Sequence, residues 1–210
     1  MKMTPQQFIG KSGKIAALLF NQIPKLTAPN CSIMDRRYLF TGKPGLGKSA
    51  IAEMFGQALV NHPLGVEAIN GQSCAVDRIR EWQFNGQFAP MFGMRVQIVD
   101  EIDAASSAAH NELRTYLDRL PNKTVFIGTT NRTVEELPEQ LQSRFKILYF
   151  DPVPIEIIAD WLQAKFPQLG PAMAGSIAIQ SNGNVRAAET VAMSVADNWV
   201  EALAQEGALP

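Results

Sequence analysis

Gly42-Lys43-Pro44-Gly45-Leu46-Gly47-Lys48-Ser49 fits G-x-x-x-x-G-K-[ST], the pattern of a loop that wraps phosphate groups. Its glycines let the backbone curl so that successive N–H groups point into one concavity. The residues expected to line that concavity are Pro44, Gly45, Leu46, Gly47, Lys48, Ser49 and Ala50. The helix that follows adds the positive end of its dipole. Lys48 is expected to reach the β- and γ-phosphates, and the Ser49 hydroxyl to hold Mg²⁺. Such a loop needs a strand before it and a helix after it. Arg37-Tyr38-Leu39-Phe40-Thr41 is aromatic and β-branched and reads as the strand. Ala50 to Val60 carries Ile51, Ala52, Phe55, Ala58 and Leu59 at helical spacing.

The chain around this loop has 210 residues, enough for one good core or one domain with a small appendage. A hydrophobic fraction of 46% and a charged fraction of 19% are those of a globular protein. With a net charge of −1 there is no global pull toward nucleic acid or anionic lipid, so any nucleic-acid surface must be a local patch. Cys31 and Cys74 are isolated, which argues against a zinc site and a disulfide framework and suits idle thiols in a reducing, cytoplasmic setting. The polar start shows no signal peptide, and no apolar run approaches the length of a membrane span.

Downstream, strands and helices alternate. Val66 to Ile69 reads as a strand ended by Asn70-Gly71-Gln72-Ser73, and Val76 to Phe84 as a helix. In the glycine-containing loop that follows, Phe88, Met91 and Phe92 offer two readings, a binding surface or packing beneath the loop, and packing is the expectation. Arg95-Val96-Gln97-Ile98-Val99-Asp100-Glu101 is an apolar run ending in two carboxylates, a buried parallel strand that presents chemistry at its C-terminal edge. Ser106 or Ser107 caps the next helix, which buries Ala109, Leu113, Leu117 and Leu120. Thr124 to Thr129 is another buried strand, running into Thr130-Asn131; Glu135 to Leu141 reads as a short helix and Lys146 to Phe150 as the last strand. At the front, Thr4 and Pro5 look like an N-cap and first helical position, with an apolar stripe from Phe8 to Ile23 that Pro24 and Pro29 break into an extended linker. Beyond Asp151-Pro152-Val153-Pro154 three helices are expected, Ile155 to Phe166, Pro171 to Gln180 and Val185 to Ala204, the last with Trp199 and Leu203 on its buried face and Gly207 as its stop. The fold class is therefore α/β: a P-loop NTPase parallel sheet sandwiched by helices, then a small helical lid. Its divisions fall at residues 1–35, 36–151 and 152–210: N-terminal helix and linker, core, and lid.

The second carboxylate narrows the chemistry. Asp100 at a strand end fits the water shell of Mg²⁺, and Glu101 directly after it is suited to orient or deprotonate a water. That favours hydrolysis over transfer to a second substrate. Asn131, at the end of the neighbouring strand, offers a neutral amide to the attacking water or the γ-phosphate. Arg144 lies on a turn and Arg186 at the start of the last helix, each able to stabilise transition-state charge.

This order of motifs resembles the AAA+ ATPases over about Phe8 to Trp199. Val66–Glu81, Val96–Leu120 and Leu141–Phe150 are most similar to clamp-loader subunits of the replication factor C small-subunit type, and next to the Holliday-junction branch-migration motor. The resemblance implies a sheet order 5-1-4-3-2 and a three-helix lid. It implies ATP and Mg²⁺ as ligands, Lys48 and Ser49 as the Walker A pair, and Asp100 and Glu101 as the Walker B pair. It further implies Asn131 as sensor 1, Arg144 as an arginine finger acting on a neighbouring subunit, and Arg186 as sensor 2. Asn70 matches the polar residue that holds the catalytic glutamate until a partner binds, Ile9-Gly10 the segment touching adenine, and Arg78 and Arg80 a helix that tracks DNA phosphates.

The chain departs from the family in lacking a four-cysteine zinc module, a C-terminal collar or winged helix after the lid, and an aromatic pore loop. Assembly is accordingly expected through the AAA+ modules or a partner, as a homo-oligomeric ring or open spiral or a hetero-oligomer. The expected work is loading or remodelling a protein on DNA with hydrolysis between subunits. The alternatives are a chaperone or activator acting on protein without DNA, and a non-hydrolysing nucleotide-dependent scaffold.

Overall fold

The computed structural model describes residues 4–60, 62–91 and 93–205, the last eight as backbone. A helix, α1 (Gly10–Leu26), precedes five strands: β1 (Arg37–Thr41), β2 (Val66–Asn70), β3 (Arg95–Asp100), β4 (Thr124–Thr130) and β5 (Lys146–Tyr149). All neighbours pair in parallel, in the order β2-β3-β4-β1-β5, which is the expected order read from the other edge. The crossovers carry α2 (Lys48–Leu59), α3 (Val76–Asn85), α4 (Ser107–Asp118) and the short α5 (Glu139–Gln142).

Strand side chains alternate between faces, so the central strands contribute to two cores. Tyr38, Phe40, Val96, Ile98, Val125 and Ile127 join one cluster with α1 and α2. Leu39, Val99 and Phe126 join the other, with α3 and α4. Burial on both faces explains why β1 and β4 are buried throughout and read as continuous runs rather than alternating ones. Each fully buried leucine, such as Leu19 on α1, contributes roughly 2–3 kcal/mol of transfer free energy.

Four local expectations are corrected. The first helix starts at Gly10, not Pro5: Pro5–Gln7 is a 3-10 turn closed by a capping box between Thr4 and Gln7, and Ile9 is extended. That helix also runs through Pro24, because Leu26 is buried beneath its last turn and the Thr27 hydroxyl donates to the Ile23 and Pro24 carbonyls. The segment from Glu135 is two pieces, a 3-10 turn (Val134–Glu136) and α5, with Pro138 as the non-helical N-cap between them, where its missing N–H costs no hydrogen bond. Packing beneath the loop is overturned for Phe88 and Met91, which are 60% and 87% exposed; Phe88 meets Phe84 edge-on at 5.7 Å. Phe92 lies outside the described residues.

After β5, α6 (Ile155–Lys165), α7 (Gly170–Ser181) and α8 (Val185–Gln205) enclose a third cluster around Ile158, Leu162, Ile177 and Ala188. Val153 belongs to it, and Ile9 packs against it. The expected roles of Trp199, Leu203 and Gly207 fall outside the described side chains. No described helix is long and apolar enough to cross a membrane.

Candidate functional site

The C-terminal ends of β1, β3 and β4 meet at the start of α2, and this is where the expected site residues gather. Lys48 is the first residue of α2 and only 5% exposed. Its ammonium donates to the carbonyls of Gly42 (2.7 Å) and Lys43 (2.9 Å) and to Asn131 Oδ1 (2.8 Å). Burial pushes its pKa down to about 8, partly opposed by the charge of Asp100. Asn131 uses its other end as well: Nδ2 donates to Glu101 Oε1 at 3.0 Å. One amide therefore ties the loop lysine to the carboxylate expected to handle water. Beside this chain, Ser49 Oγ donates to Asp100 Oδ1 at 2.6 Å, a pair of hard oxygens suited to Mg²⁺.

Asn70 does not join this group. Its Oδ1 accepts the Gln72 amide at 2.9 Å and caps the turn Gly71–Ser73, so the partner of Glu101 is Asn131 instead. Arg144 is also engaged elsewhere. Its Nε and Nη2 hold the two Asp118 oxygens at 2.8 and 2.7 Å, and Nη1 donates to the Gln140 carbonyl. These hydrogen bonds keep the Asp118 carboxyl below its ordinary pKa.

The helical lid reaches the loop through the start of α8. Asn184 Oδ1 caps this helix by accepting the Ala187 amide (3.0 Å), and the Arg186 amide lies 3.4 Å from the Gly45 carbonyl. The Arg186 charge is close enough to help depress Lys48. Gly45 occupies a position the motif leaves free, yet it has φ +79°, and a Cβ there would stand 1.9 Å from Asn184 Oδ1. Its glycine answers to the lid. On the other side, Ser12 Oγ of α1 donates to the Leu46 carbonyl at 2.8 Å, and Lys11 pairs with Asp151. Ile9 and Gly10 lie against Val153, where the N-terminal segment meets the lid.

Arg78 and Arg80 lie on α3, away from this group. Arg78 pairs with Glu81 (2.7 Å) and Glu67 (3.5 Å), and Arg80 with Glu112 (3.6 Å) and Asp77 (3.9 Å). Sequence reasoning missed Thr129, Thr130, Asp103, Arg132 and Asn184. The Thr130 hydroxyl donates to Asp103 (2.7 Å), which also pairs with Arg132 (3.0 Å), while Thr41 Oγ1 donates to the Arg132 carbonyl (2.8 Å). For Thr129, Thr130 and Arg132 the signal was the polar Thr-Thr-Asn-Arg ending of a buried strand; Asp103 and Asn184 carried none.

A five-stranded parallel sheet in this order, with a glycine loop feeding α2 and an acidic strand end beside it, defines a P-loop nucleoside triphosphatase fold. The family model of the ATPase family associated with various cellular activities (AAA) matches residues 38–153, more than half of the chain, and the chain belongs to that family. Nucleotide binding follows from that membership. Among curated relatives, the chain is 31% identical over 159 residues to replication factor C subunit 3 of Saccharomyces cerevisiae, covering 70% of this chain and 46% of that one. It is 32% identical over 133 residues to the replication factor C small subunit of Methanosarcina barkeri, covering 60% and 39%. The match thus spans less than half the length of these relatives. A Thermotoga maritima RuvB variant superposes with a TM-score of 0.73 at 21% identity, covering 92% of this chain and 65% of that one. C. elegans PCH-2 does so at 0.64 and 15%, covering 85% and 60%. These two similarities bear on the fold.

Proposed function

We propose that the chain is an ATP-hydrolysing module of clamp-loader type whose site is completed by a neighbouring subunit. The observation that carries this is the Asn131 amide, which joins Lys48 to Glu101 across the mouth of the phosphate loop. A nucleotide-holding scaffold has no need of a carboxylate steered to that point.

ATP is the substrate. Its phosphates lie along the amides of Pro44 to Ala50, with adenine against Ile9 and Gly10. Lys48 exchanges its carbonyl partners for β- and γ-oxygens, and Asn131 turns toward the γ-phosphate or the water. Ser49 and Asp100 hold Mg²⁺, which when bound neutralises the phosphate oxygens and draws charge toward the leaving ADP. Glu101 orients a water in line with the γ-phosphorus and takes its proton; the bond to the bridging oxygen breaks as the new P–O bond forms. Arg144 leaves Asp118 and stabilises the charge on the γ-oxygens of the adjacent subunit's nucleotide. Asn70, its Oδ1 committed locally, has its Nδ2 left for holding Glu101 when a partner shifts the loop. Arg186 reads the γ-phosphate from the lid and couples it to the angle between residues 152–210 and the core at 36–151, with residues 1–35 packed as an N-terminal helix on that core.

Head-to-tail contacts of this kind form rings or open spirals, whether of this chain alone or with other AAA+ subunits. Loading or remodelling of a protein on DNA is the proposed work, with Arg78 and Arg80 on the phosphates and in the cytoplasm. One observation favours a second reading, action on a protein client without DNA: both arginines are already paired with carboxylates. Two experiments decide. Mixing Lys48→Ala with Arg144→Ala protomers restores part of the ATPase if Arg144 acts on a neighbour; no recovery assigns it to its own subunit or to structure. Oligonucleotides that neither bind in ATP at low salt nor change the ATPase rate remove DNA from the proposal.

A further inference from the structure

We propose that Thr129 is a positioning residue for hydrolysis, acting through Asp100 and Glu101 without touching substrate. This rests on the roles given above to those two carboxylates.

The parallel register pairs Val99 with Gly128, so the next residues along, Asp100 and Thr129, stand side by side at the ends of β3 and β4. Strand alternation turns both toward α2, on the face that carries Ile98 and Ile127, and Ser49 lies in the first turn of that helix. Thr129 is 1% exposed, which puts its hydroxyl out of reach of bulk water. A hydroxyl has one proton and two lone pairs. Here the proton goes to Asp100 Oδ1, and a lone pair accepts the backbone N–H of Glu101 at 3.1 Å. The directions are forced, because a carboxylate only accepts and an amide only donates. Asp100 Oδ1 consequently receives two hydroxyls, from Ser49 and from Thr129, and its rotamer is held toward the loop.

The bond to Glu101 bears on backbone conformation. Glu101 has φ +54° and ψ +53°, the left-handed region that costs a residue with a Cβ about 1–2 kcal/mol. Its peptide is restrained at both ends. The N–H is tied to Thr129; the carbonyl accepts the Ala104 amide at 2.9 Å and abuts Gly71, where a Cβ would stand 2.0 Å from that oxygen. Held this way, the Glu101 side chain projects to Asn131. Thr129 therefore sets the aim of the water-handling carboxylate and the angle of the Mg²⁺-facing one with a single hydroxyl.

Thr129→Val keeps the β-branched shape and removes only the hydroxyl; Thr129→Ser keeps the hydroxyl and removes a methyl. A 1 Å misplacement of a reacting group costs about 10²-fold. For Thr129→Val, kcat should fall about 30- to 100-fold with KM for ATP within about threefold, and the Mg²⁺ concentration for half-maximal rate should rise. Binding of a fluorescent ATP analogue in EDTA should be unchanged. Thr129→Ser should keep kcat within about twofold. An unchanged kcat and Mg²⁺ dependence in Thr129→Val overturns the proposal. So does a Thr129→Ser variant as slow as Thr129→Val, which would assign the residue to packing. Amide exchange at Glu101 in the nucleotide-free protein supplies a readout apart from turnover. It should quicken about tenfold or more in Thr129→Val and not in Thr129→Ser, the equivalent of one lost hydrogen bond. If the wild-type chain proves not to hydrolyse ATP, the ATPase reading fails, and this exchange measurement still upholds or rejects the tether from Thr129 to Glu101.

Discussion

Gly45→Ala tests whether the lid rests on the phosphate loop. The substituted alanine must keep φ near +79°, at a cost of roughly 1–2 kcal/mol. Its Cβ would stand 1.9 Å from Asn184 Oδ1, so the Asn184 side chain has to swing away. Swinging away gives up the cap on α8, the 3.0 Å bond from the Ala187 amide, for about 1 kcal/mol more. The single variant should thus lose about 2–3 kcal/mol, a fall of about 5–10 °C in Tm for a chain of this size. Asn184→Ala alone loses only the cap, about 1 kcal/mol. In the double variant the cap is already gone and the clash is absent, leaving the backbone strain plus one cap, again about 2–3 kcal/mol. The two singles sum to about 1 kcal/mol more than the double, and that difference is the coupling. Urea unfolding of the four proteins, with Cm compared at constant m, measures it. Strict additivity of the two substitutions would refute contact between Asn184 and Gly45 in solution.

Other outcomes follow from single contacts. Ser12→Ala leaves the Leu46 carbonyl without its buried donor and should cost about 1–2 kcal/mol by thermal denaturation, against near zero for the exposed Ser176→Ala. Arg144 holds the folded-state pKa of Asp118 below its ordinary 3.8, so the pair's stabilisation is complete above that value and is lost as the pH falls through the lower folded-state value. Asp118→Asn should flatten the dependence of stability on pH below about 4; an unchanged acid limb would show that the pair does not persist in solution. Both thiols are raised by burial, but Cys74 is 2% exposed and pushed up to about 11, whereas Cys31 is only partly buried. Iodoacetamide at pH 8 should therefore alkylate Cys31 first, as mass spectrometry of peptides will report, and equal rates would contradict the packing around Cys74.

Much of the site was legible because its parts are local. The run from Gly42 to Ser49 writes its loop in consecutive residues, and Asp100-Glu101 ends an apolar run that can only be a buried strand. Alternation of strand and helix then implies the parallel sheet, and the order of motifs implies the strand order. What escaped are contacts joined by topology across long separations. Ser12 meets Leu46 and Gly45 meets Asn184 only after the sheet and lid are built. Thr129 looked like one more β-branched strand residue, because its partner Glu101 is chosen by inter-strand register. The exposed Phe88 and Met91 resisted reading for the opposite reason: hydrophobic composition predicts burial, and this loop does not follow it. Pro24 misled because a proline breaks a helix locally, while the burial of Leu26 and the Thr27 hydroxyl hold the last turn together.

Hydrolysis through Glu101 is the central claim, and Glu101→Gln tests it most directly. The amide keeps the shape and can still bond to Asn131, but it cannot accept a proton from water. Single-turnover hydrolysis of γ-labelled ATP should fall by at least about 10²-fold, while a fluorescent ATP analogue binds within about threefold of the wild type. Turnover unchanged in Glu101→Gln, with binding intact, would contradict it.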